Sequence, residues 1–464
     1  MINFIATEDN YTNDLMELVR ALNGRLDKDF DLSLKYEFDG DRMLVSVVLG
    51  EENRAYNTEY DVTAKDKMER KRLEKRYLKE SIYNAVVDFT GISLPYGCLT
   101  GIRPTKLFRE LGARARDMFE NEFSVSKKKA DLVETIVKVQ EPVRNDGDGH
   151  DVFVFIPFCP TRCAYCSFVS VAIDKQKKLI EPYVNCLLKE IEFLKEVVEK
   201  KSLKIRTVYV GGGTPTSIPT EYLDKILSAL VPFKPFEFTV EAGRPDTINS
   251  SVLNVLKKNG VTRISVNPQT FNDATLERIG RRHKAEMVEE VYREAKDDFD
   301  VNMDLIAMLP GESLEDFKRT VDKAVELDAE NVTVHTLYLK KGSALKVGGY
   351  QSVDNDTAEK MVDYAYTALT GAGYVPYYMY RQKYTSGNLE NVGYAKPDKI
   401  CVYNVDIMEE DTSILAAGAA AISKKWRKDI NLITRNANFK EPLEYVKHFD
   451  TVMERQRAFW LEEE

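Results

Sequence analysis

Positive charge is in short supply in this chain. Its 464 residues include 66 Lys and Arg against 75 Asp and Glu, a net charge of −9. A diffuse nucleic-acid footprint carries the opposite sign, so no nucleic-acid partner is expected without a local basic patch. Long apolar runs are missing too. The most apolar stretch, around Ile414–Ile422, is interrupted by glycine and falls well short of the ~20 residues that a membrane span needs. The opening residues, MINFIATEDNYTND, lack a basic segment followed by an apolar one, so no secretory signal is expected. A soluble, cytoplasmic protein is the expectation. Cysteine numbers only six, far too few to staple a chain this long. Low-complexity segments are absent.

What is present is globular. Hydrophobic residues make up 43% and charged residues 30%, and at roughly 100–200 residues per domain the length suits two to four domains. Residues 1–148 read as an α+β domain. An amphipathic stripe (Leu15, Leu18, Val19, Leu22) precedes a hairpin of LSLKYEF and RMLVSVVL around Asp39–Gly40–Asp41, and a helical reading runs from Ala64 to Leu111. The Gly- and Asp-rich NDGDGH, Asn145–His150, is the natural linker candidate.

Residues 149–345 alternate strand and helix. VFVFIPF, TVYVGGG, FTVEAG, RISVNPQ, VNMDLIAMLPG and NVTVHTLYL read as strands, with helices such as Glu181–Lys200 between them. Apolar strands of this kind suit burial on both faces of a parallel sheet, an α/β fold. Periodicity alone leaves open whether that sheet is doubly wound or a curved partial barrel. In either case functional groups belong at the C-terminal strand ends. Residues 346–464 form a smaller C-terminal domain with a helix (Asp356–Leu369), a Tyr-rich segment, the run LAAGAAAIS and a helical tail.

Cys159-Pro-Thr-Arg-Cys163-Ala-Tyr-Cys166 follows the first of these strands. Three thiolates on one loop hold three corners of a cubane iron–sulfur cluster and leave its fourth iron open. A zinc site would need a fourth ligand, yet no Cys or His follows Cys166 until Cys186, and His150 lies nine residues before Cys159. Gly211-Gly212-Gly213-Thr214-Pro215 ends the second strand, where bare backbone lets a ligand approach closely; it is not a dinucleotide GxGxxG. Glu241 and Gln269 end the third and fourth strands and Asp304 lies in the fifth. Each alone would pass as an ordinary solvated residue, but polar groups at successive strand ends converge on one pocket.

The CxxxCxxC spacing, with Tyr165 before the last Cys, resembles the radical S-adenosylmethionine (radical SAM) enzymes. FIPFC, VYVGGGTPT, NPQTFNDATLERIGRR and DLIAMLPGE are similar to the oxygen-independent coproporphyrinogen III oxidase family. LTGIRPTKL, EAGRPDTI and GNLENVGYA resemble its HemZ-type coproporphyrinogen dehydrogenase branch. The resemblance implies a partial (βα)6 barrel and a 4Fe–4S cluster on Cys159, Cys163 and Cys166. It also implies S-adenosylmethionine chelated to the open iron and cleaved to a hydrogen-abstracting 5′-deoxyadenosyl radical. Carried over by position, adenosylmethionine contacts fall on Tyr165, Gly212, Gly213, Thr214, Glu241, Gln269, Arg281, Asp304, Tyr338 and Ile422. An electron donor such as flavodoxin or ferredoxin, and a tetrapyrrole substrate, are implied partners. No residue is assigned as the catalytic acid or base.

The implied activity is oxidative decarboxylation of two coproporphyrinogen III propionates to vinyls, giving protoporphyrinogen IX in haem biosynthesis. Two alternatives are an anaerobic radical transferase acting on haem or another tetrapyrrole, and a haem-binding chaperone. One departure stands out: where the family reads YxHIPFC, both the Tyr and the His positions are Phe here, Phe153 and Phe155. Arg103, Lys106, Arg381 and Lys383 are candidate partners for substrate carboxylates, and His335 is a candidate haem ligand. The run Lys65–Glu80, with eight basic and four acidic residues, reads as a solvated helix containing an Asp66–Arg70 pair. Cys98, Cys186 and Cys401 read as small apolar fillers.

Overall fold

The computed structural model describes residues 1–464 except 7–9, 146, 340–342, 351–354, 383–384, 431 and 463–464. The chain folds as two compact units. Residues 1–138 join 353–359 and 380–390 in one; residues 139–352, 360–379 and 391–464 form the other. Among the described residues no helix is long and apolar enough to cross a membrane.

In the first unit a four-stranded sheet carries the expected hairpin, Phe30–Asp39 with Arg42–Leu49, flanked by strands Ile2–Ala6 and Arg54–Asp61. Asp39 pairs with Arg42, so the turn is Gly40–Asp41. The helical stretch read from Ala64 to Leu111 breaks in two. Helix Lys67–Thr90 stops where Gly91 adopts φ +73°, and a second helix starts only at Pro104. Asp66 does not pair with Arg70. Its carboxylate caps the first helix, accepting the Met68 and Glu69 amides at 2.8 Å, while Arg70 pairs with Glu74 and Asp41.

The second unit is built on the strands β1 (Gly149–Ile156), β2 (Lys204–Gly212), β3 (Glu237–Val240), β4 (Arg263–Ser265), β5 (Asp300–Ala307) and β6 (Asn331–Thr336). After them come β7 (Val375–Arg381), β8 (Glu390–Ala395), β9 (Ser413–Ala417), β10 (Ile422–Arg427) and β11 (Leu432–Ala437). Their order across the sheet is β7-β8-β6-β5-β4-β3-β2-β1-β9-β10-β11. Strands β1 to β6 are all parallel and sit in strict sequence. Right-handed crossovers that always step the same way put every helix on one face. The sheet then curls around the other face as a partial barrel, which excludes the doubly wound alternative.

Side chains alternate across each strand. Val152, Val154, Val208, Val210, Phe238, Val240, Val301 and Met303 pack into one core with the helices. The alternate positions carry Asp151, Thr207, Glu237, Thr239, Arg263 and Thr333, and these are buried as well. The expectation of apolar faces on both sides is therefore wrong, because the inner face is polar. The linker reading of NDGDGH also fails. Asn145 is buried, donates to Gly149 O at 2.8 Å and to Thr412 Oγ1 at 3.0 Å, and accepts the Gly149 amide, while Gly149 and His150 already belong to β1.

Candidate functional site

The cysteine loop leaves the C-terminal end of β1 and is fastened to neighbouring strands. Phe158 and Cys159 pair with Val171 and Ala172. The Ala164 amide donates to Ile279 O at 2.9 Å, and the Cys166 amide turns back to Cys163 O at 3.1 Å. All three thiols are half-buried and none is in a disulfide. Burial raises the Cys159 thiol and pushes Cys166 up to about 11. A metal cation beside them is what favours the thiolate form.

The glycine loop at the end of β2 lies directly against this loop. Gly212 has φ +119°, a conformation that favours glycine. The Gly213 amide donates to Ile156 O at 2.8 Å and the Thr214 amide to Phe158 O at 2.7 Å. Thr214 Oγ1 is 3.6 Å from Cys159 Sγ. A Cβ on Gly213 would stand 2.6 Å from Phe158 O and 3.0 Å from Cys159 Sγ. That close approach is what the glycine permits.

Glu241 follows β3. Its Oε1 accepts the Tyr209 hydroxyl at 2.6 Å and its Oε2 the Gly212 amide at 3.3 Å. Burial pushes its carboxyl up to about 7 against those two donors. A second group of the expected residues forms a chain. Arg281 donates to the Tyr165 hydroxyl at 3.2 Å and to Asn267 O at 2.6 Å. The Asn267 amide reaches Asp304 Oδ2 at 2.7 Å, and His335 Nε2 lies 3.7 Å from Asp304 Oδ1. Burial alone would raise the Asp304 carboxyl, but His335, Asn302 and Arg281 hold it below its ordinary value. Gln269 has φ +66° and is tied by its amide to Asp304 O at 2.9 Å.

The structure thus brings together Cys159, Gly212, Gly213, Thr214 and Glu241, and links Tyr165, Arg281, Asp304 and Gln269. Tyr338 lies just past β6, half-buried, and Ile422 is exposed at the start of β10 opposite Ala437. Neither is joined to these groups by a hydrogen bond among the described residues. His335 is engaged with Asp304 rather than standing free. Sequence reading missed Tyr209, Asn267 and Arg244; all three lie inside or beside quoted motifs.

The two Phe substitutions have distinct surroundings. Phe153 stacks in the barrel interior with Tyr209 at 6.2 Å and Tyr403 at 6.1 Å between ring centres. Phe155 packs with Ile414, Ala416 and Ala421. Of the candidate carboxylate partners, Arg381 is corrected. It is buried, donates to Leu99 O at 2.5 Å and Asn388 O at 3.1 Å, and stacks 4.1 Å over Tyr96. Its two terminal nitrogens are spent on backbone carbonyls. Arg103 precedes and Lys106 joins the helix Pro104–Leu111; Lys383 lies outside the described residues. Cys98 is buried, its thiol pushed up to about 12 by burial, and Cys401 is buried 3.5 Å from Glu237 Oε1.

Among the described residues no three His, Cys, Asp or Glu side chains are gathered as a site for one metal ion. A cubane makes a different demand, one thiolate on each of three irons, and a loop carrying three free thiols beside bare glycine backbone fits it.

Residues 153–324 match the radical SAM superfamily model. The chain is 35% identical over 453 residues to the oxygen-independent coproporphyrinogen-III oxidase-like protein HemZ of Bacillus subtilis, covering 93% of this chain and 90% of that protein. It is 35% identical over 195 residues to the heme chaperone HemW of B. subtilis, covering 40% of this chain and 50% of that one. Among solved structures, coproporphyrinogen III oxidase (HemN) from Escherichia coli superposes with a TM-score of 0.52 at 21% identity, over 68% of this chain and 72% of that one.

Proposed function

The chain belongs to the radical SAM superfamily and, within it, to the oxygen-independent coproporphyrinogen-III oxidase-like family of HemZ, and from that membership we propose that it oxidatively decarboxylates coproporphyrinogen III to protoporphyrinogen IX. The family's cofactors are a 4Fe–4S cluster and S-adenosylmethionine. The observation that carries the reading is the convergence of the cysteine loop, the glycine loop and Glu241 at the mouth of a barrel with a polar interior.

In this reading Cys159, Cys163 and Cys166 each hold one iron. Gly212, Gly213, Thr214 and Glu241 receive the adenosylmethionine amino group. Tyr165, Gln269, Arg281 and Asp304 line its remainder, with Tyr338 and Ile422 as outer backbone contacts. Together the two cofactors supply one-electron cleavage of a sulfonium bond and a hydrogen-abstracting radical. The protein's own work is to orient, to exclude water and to hold charge. Residues 149–345, expected as the radical domain, carry that chemistry, while much of 346–464 belongs to the same compact unit and sheet rather than to a separate domain.

The match to the heme chaperone HemW favours a second reading, haem binding without turnover. Anaerobic incubation with coproporphyrinogen III, adenosylmethionine and a reductant separates the two. Carbon dioxide released in step with 5′-deoxyadenosine supports decarboxylation. Stoichiometric haem binding with no carbon dioxide supports the chaperone. Deoxyadenosine without decarboxylation would instead indicate radical chemistry on another tetrapyrrole.

A further inference from the structure

Arg244 has no role in the scheme above, yet it sits against the cysteine loop. Its side chain is 4% exposed. Two parallel hydrogen bonds fix its fork on Asp246, Nε to Oδ1 at 2.8 Å and Nη2 to Oδ2 at 2.7 Å. A bidentate pair of this kind holds the planar guanidinium in one orientation. The remaining nitrogen, Nη1, donates to Thr161 Oγ1 at 3.0 Å and to Cys163 Sγ at 3.8 Å. Thr161 belongs to the same loop, and its hydroxyl donates to Gly280 O at 3.3 Å.

The three cysteines are not equivalent in this respect. Cys159 receives a hydrogen bond from the neutral Thr214 hydroxyl and feels the Arg244 charge without a hydrogen bond from it. Cys163 receives a hydrogen bond from the Arg244 guanidinium. Hydrogen bonds to ligand sulfurs and nearby positive charge favour the reduced state of an iron–sulfur cluster. A fork already locked by Asp246 needs no further ordering to act this way.

We propose that Arg244, held by Asp246, is a positioning residue that acts through the Cys163 thiolate and raises the reduction potential of the cluster bound there. The proposal rests on reading Cys159, Cys163 and Cys166 as cluster ligands. The step it affects is the uptake of one electron by the cluster from an external one-electron donor; no bond forms or breaks at Arg244.

The test is an anaerobic redox titration, followed by electron paramagnetic resonance, on the reconstituted parent protein, Arg244→Gln and Arg244→Lys. At the parent's midpoint the reduced-to-oxidised ratio of Arg244→Gln is expected to fall at least tenfold, which is ~59 mV for a one-electron couple. Arg244→Lys keeps the charge but not the fork and should shift less, in the same direction. Iron content is measured first, so a parent that binds no cluster overturns the ligand reading itself. Loaded Arg244→Gln with a ratio within twofold of the parent overturns the role of Arg244 alone. If Arg244→Gln takes up no iron, Arg244→Lys decides: an unchanged midpoint overturns the proposal.

Discussion

The Tyr209 hydroxyl donates to Glu241 at 2.6 Å from the neighbouring strand, with the Gly212 amide on the other carboxylate oxygen at 3.3 Å. One side chain thereby joins the barrel interior to the loop that faces the cysteines. Removing the hydroxyl with Tyr209→Phe deletes a single hydrogen bond, worth about 1 kcal/mol. Adenosylmethionine affinity should fall about fivefold on that figure, with iron content unchanged. Equilibrium binding to the reconstituted protein checks both; unaltered affinity would remove Glu241 from the binding site or Tyr209 from its support.

The proposed contact of Glu241 with adenosylmethionine implies pH-dependent binding. Its carboxyl titrates at about 7 because it is buried, so protons leave it as pH rises from 6 to 7. An amino group that donates hydrogen bonds prefers the ionised carboxylate as acceptor, so adenosylmethionine affinity should rise about fivefold across that interval. In Glu241→Gln the slope should disappear. Titration calorimetry at the two pH values reads it directly.

Gly213 separates packing from ligand chemistry. In Gly213→Ala the new Cβ meets Phe158 O and Cys159 Sγ at 2.6 and 3.0 Å. The backbone carbonyl cannot retreat, so a cost of about 1–3 kcal/mol is expected, with less than half the parent's iron retained after reconstitution. Gly260→Ala, at positive φ but with nothing within 4 Å of the new Cβ, should strain the backbone and leave iron content unchanged.

Asp151, near the start of β1, and Asp406, in the helix Val402–Glu409, are buried acids that influence each other, with Arg206 Nε 3.3 Å from Asp406 Oδ2. Burial, and for Asp406 the neighbouring Asp151, holds both carboxyls above their ordinary range. Both acids ionise near pH 4 when unfolded but keep protons to higher pH when folded. Stability is therefore fully present at low pH and is lost as pH rises toward the folded values. The parent's melting temperature should drop between pH 6 and 8.5. Asp406→Asn should lose less than about half as much, because one of the two raised acids is gone.

Why some of this was legible in the sequence and some not follows from where partners lie. Cys159, Cys163 and Cys166 share one loop, so the proposed cluster can be read from their spacing alone. Glu241, Gln269 and Asp304 mark successive strand ends, which the strand–helix alternation exposes. Arg244 is 81 residues from Cys163, and only the parallel packing of β1 to β4 brings them together. The polar inner face was hidden because Asp151, Thr207 and Glu237 alternate with strong apolar residues in short strands. A continuous helix from Ala64 to Leu111 was not what the sequence supported, because Gly91, Pro95, Gly97 and Gly101 all punctuate 91–103. Arg381 looked like a ligand-binding cation beside tyrosines; its partners are carbonyls of Leu99 and Asn388, which no side-chain pattern reveals.

In the proposed function three thiols hold a cluster with one iron left for adenosylmethionine. Electron paramagnetic resonance of the reduced, reconstituted protein with and without adenosylmethionine tests it most directly, with Cys163→Ala and Cys98→Ala alongside. About four irons per chain and a spectrum that changes on adding adenosylmethionine are expected, with the signal lost in Cys163→Ala and retained in Cys98→Ala. A spectrum indifferent to adenosylmethionine, or a cluster that survives in Cys163→Ala, would contradict it.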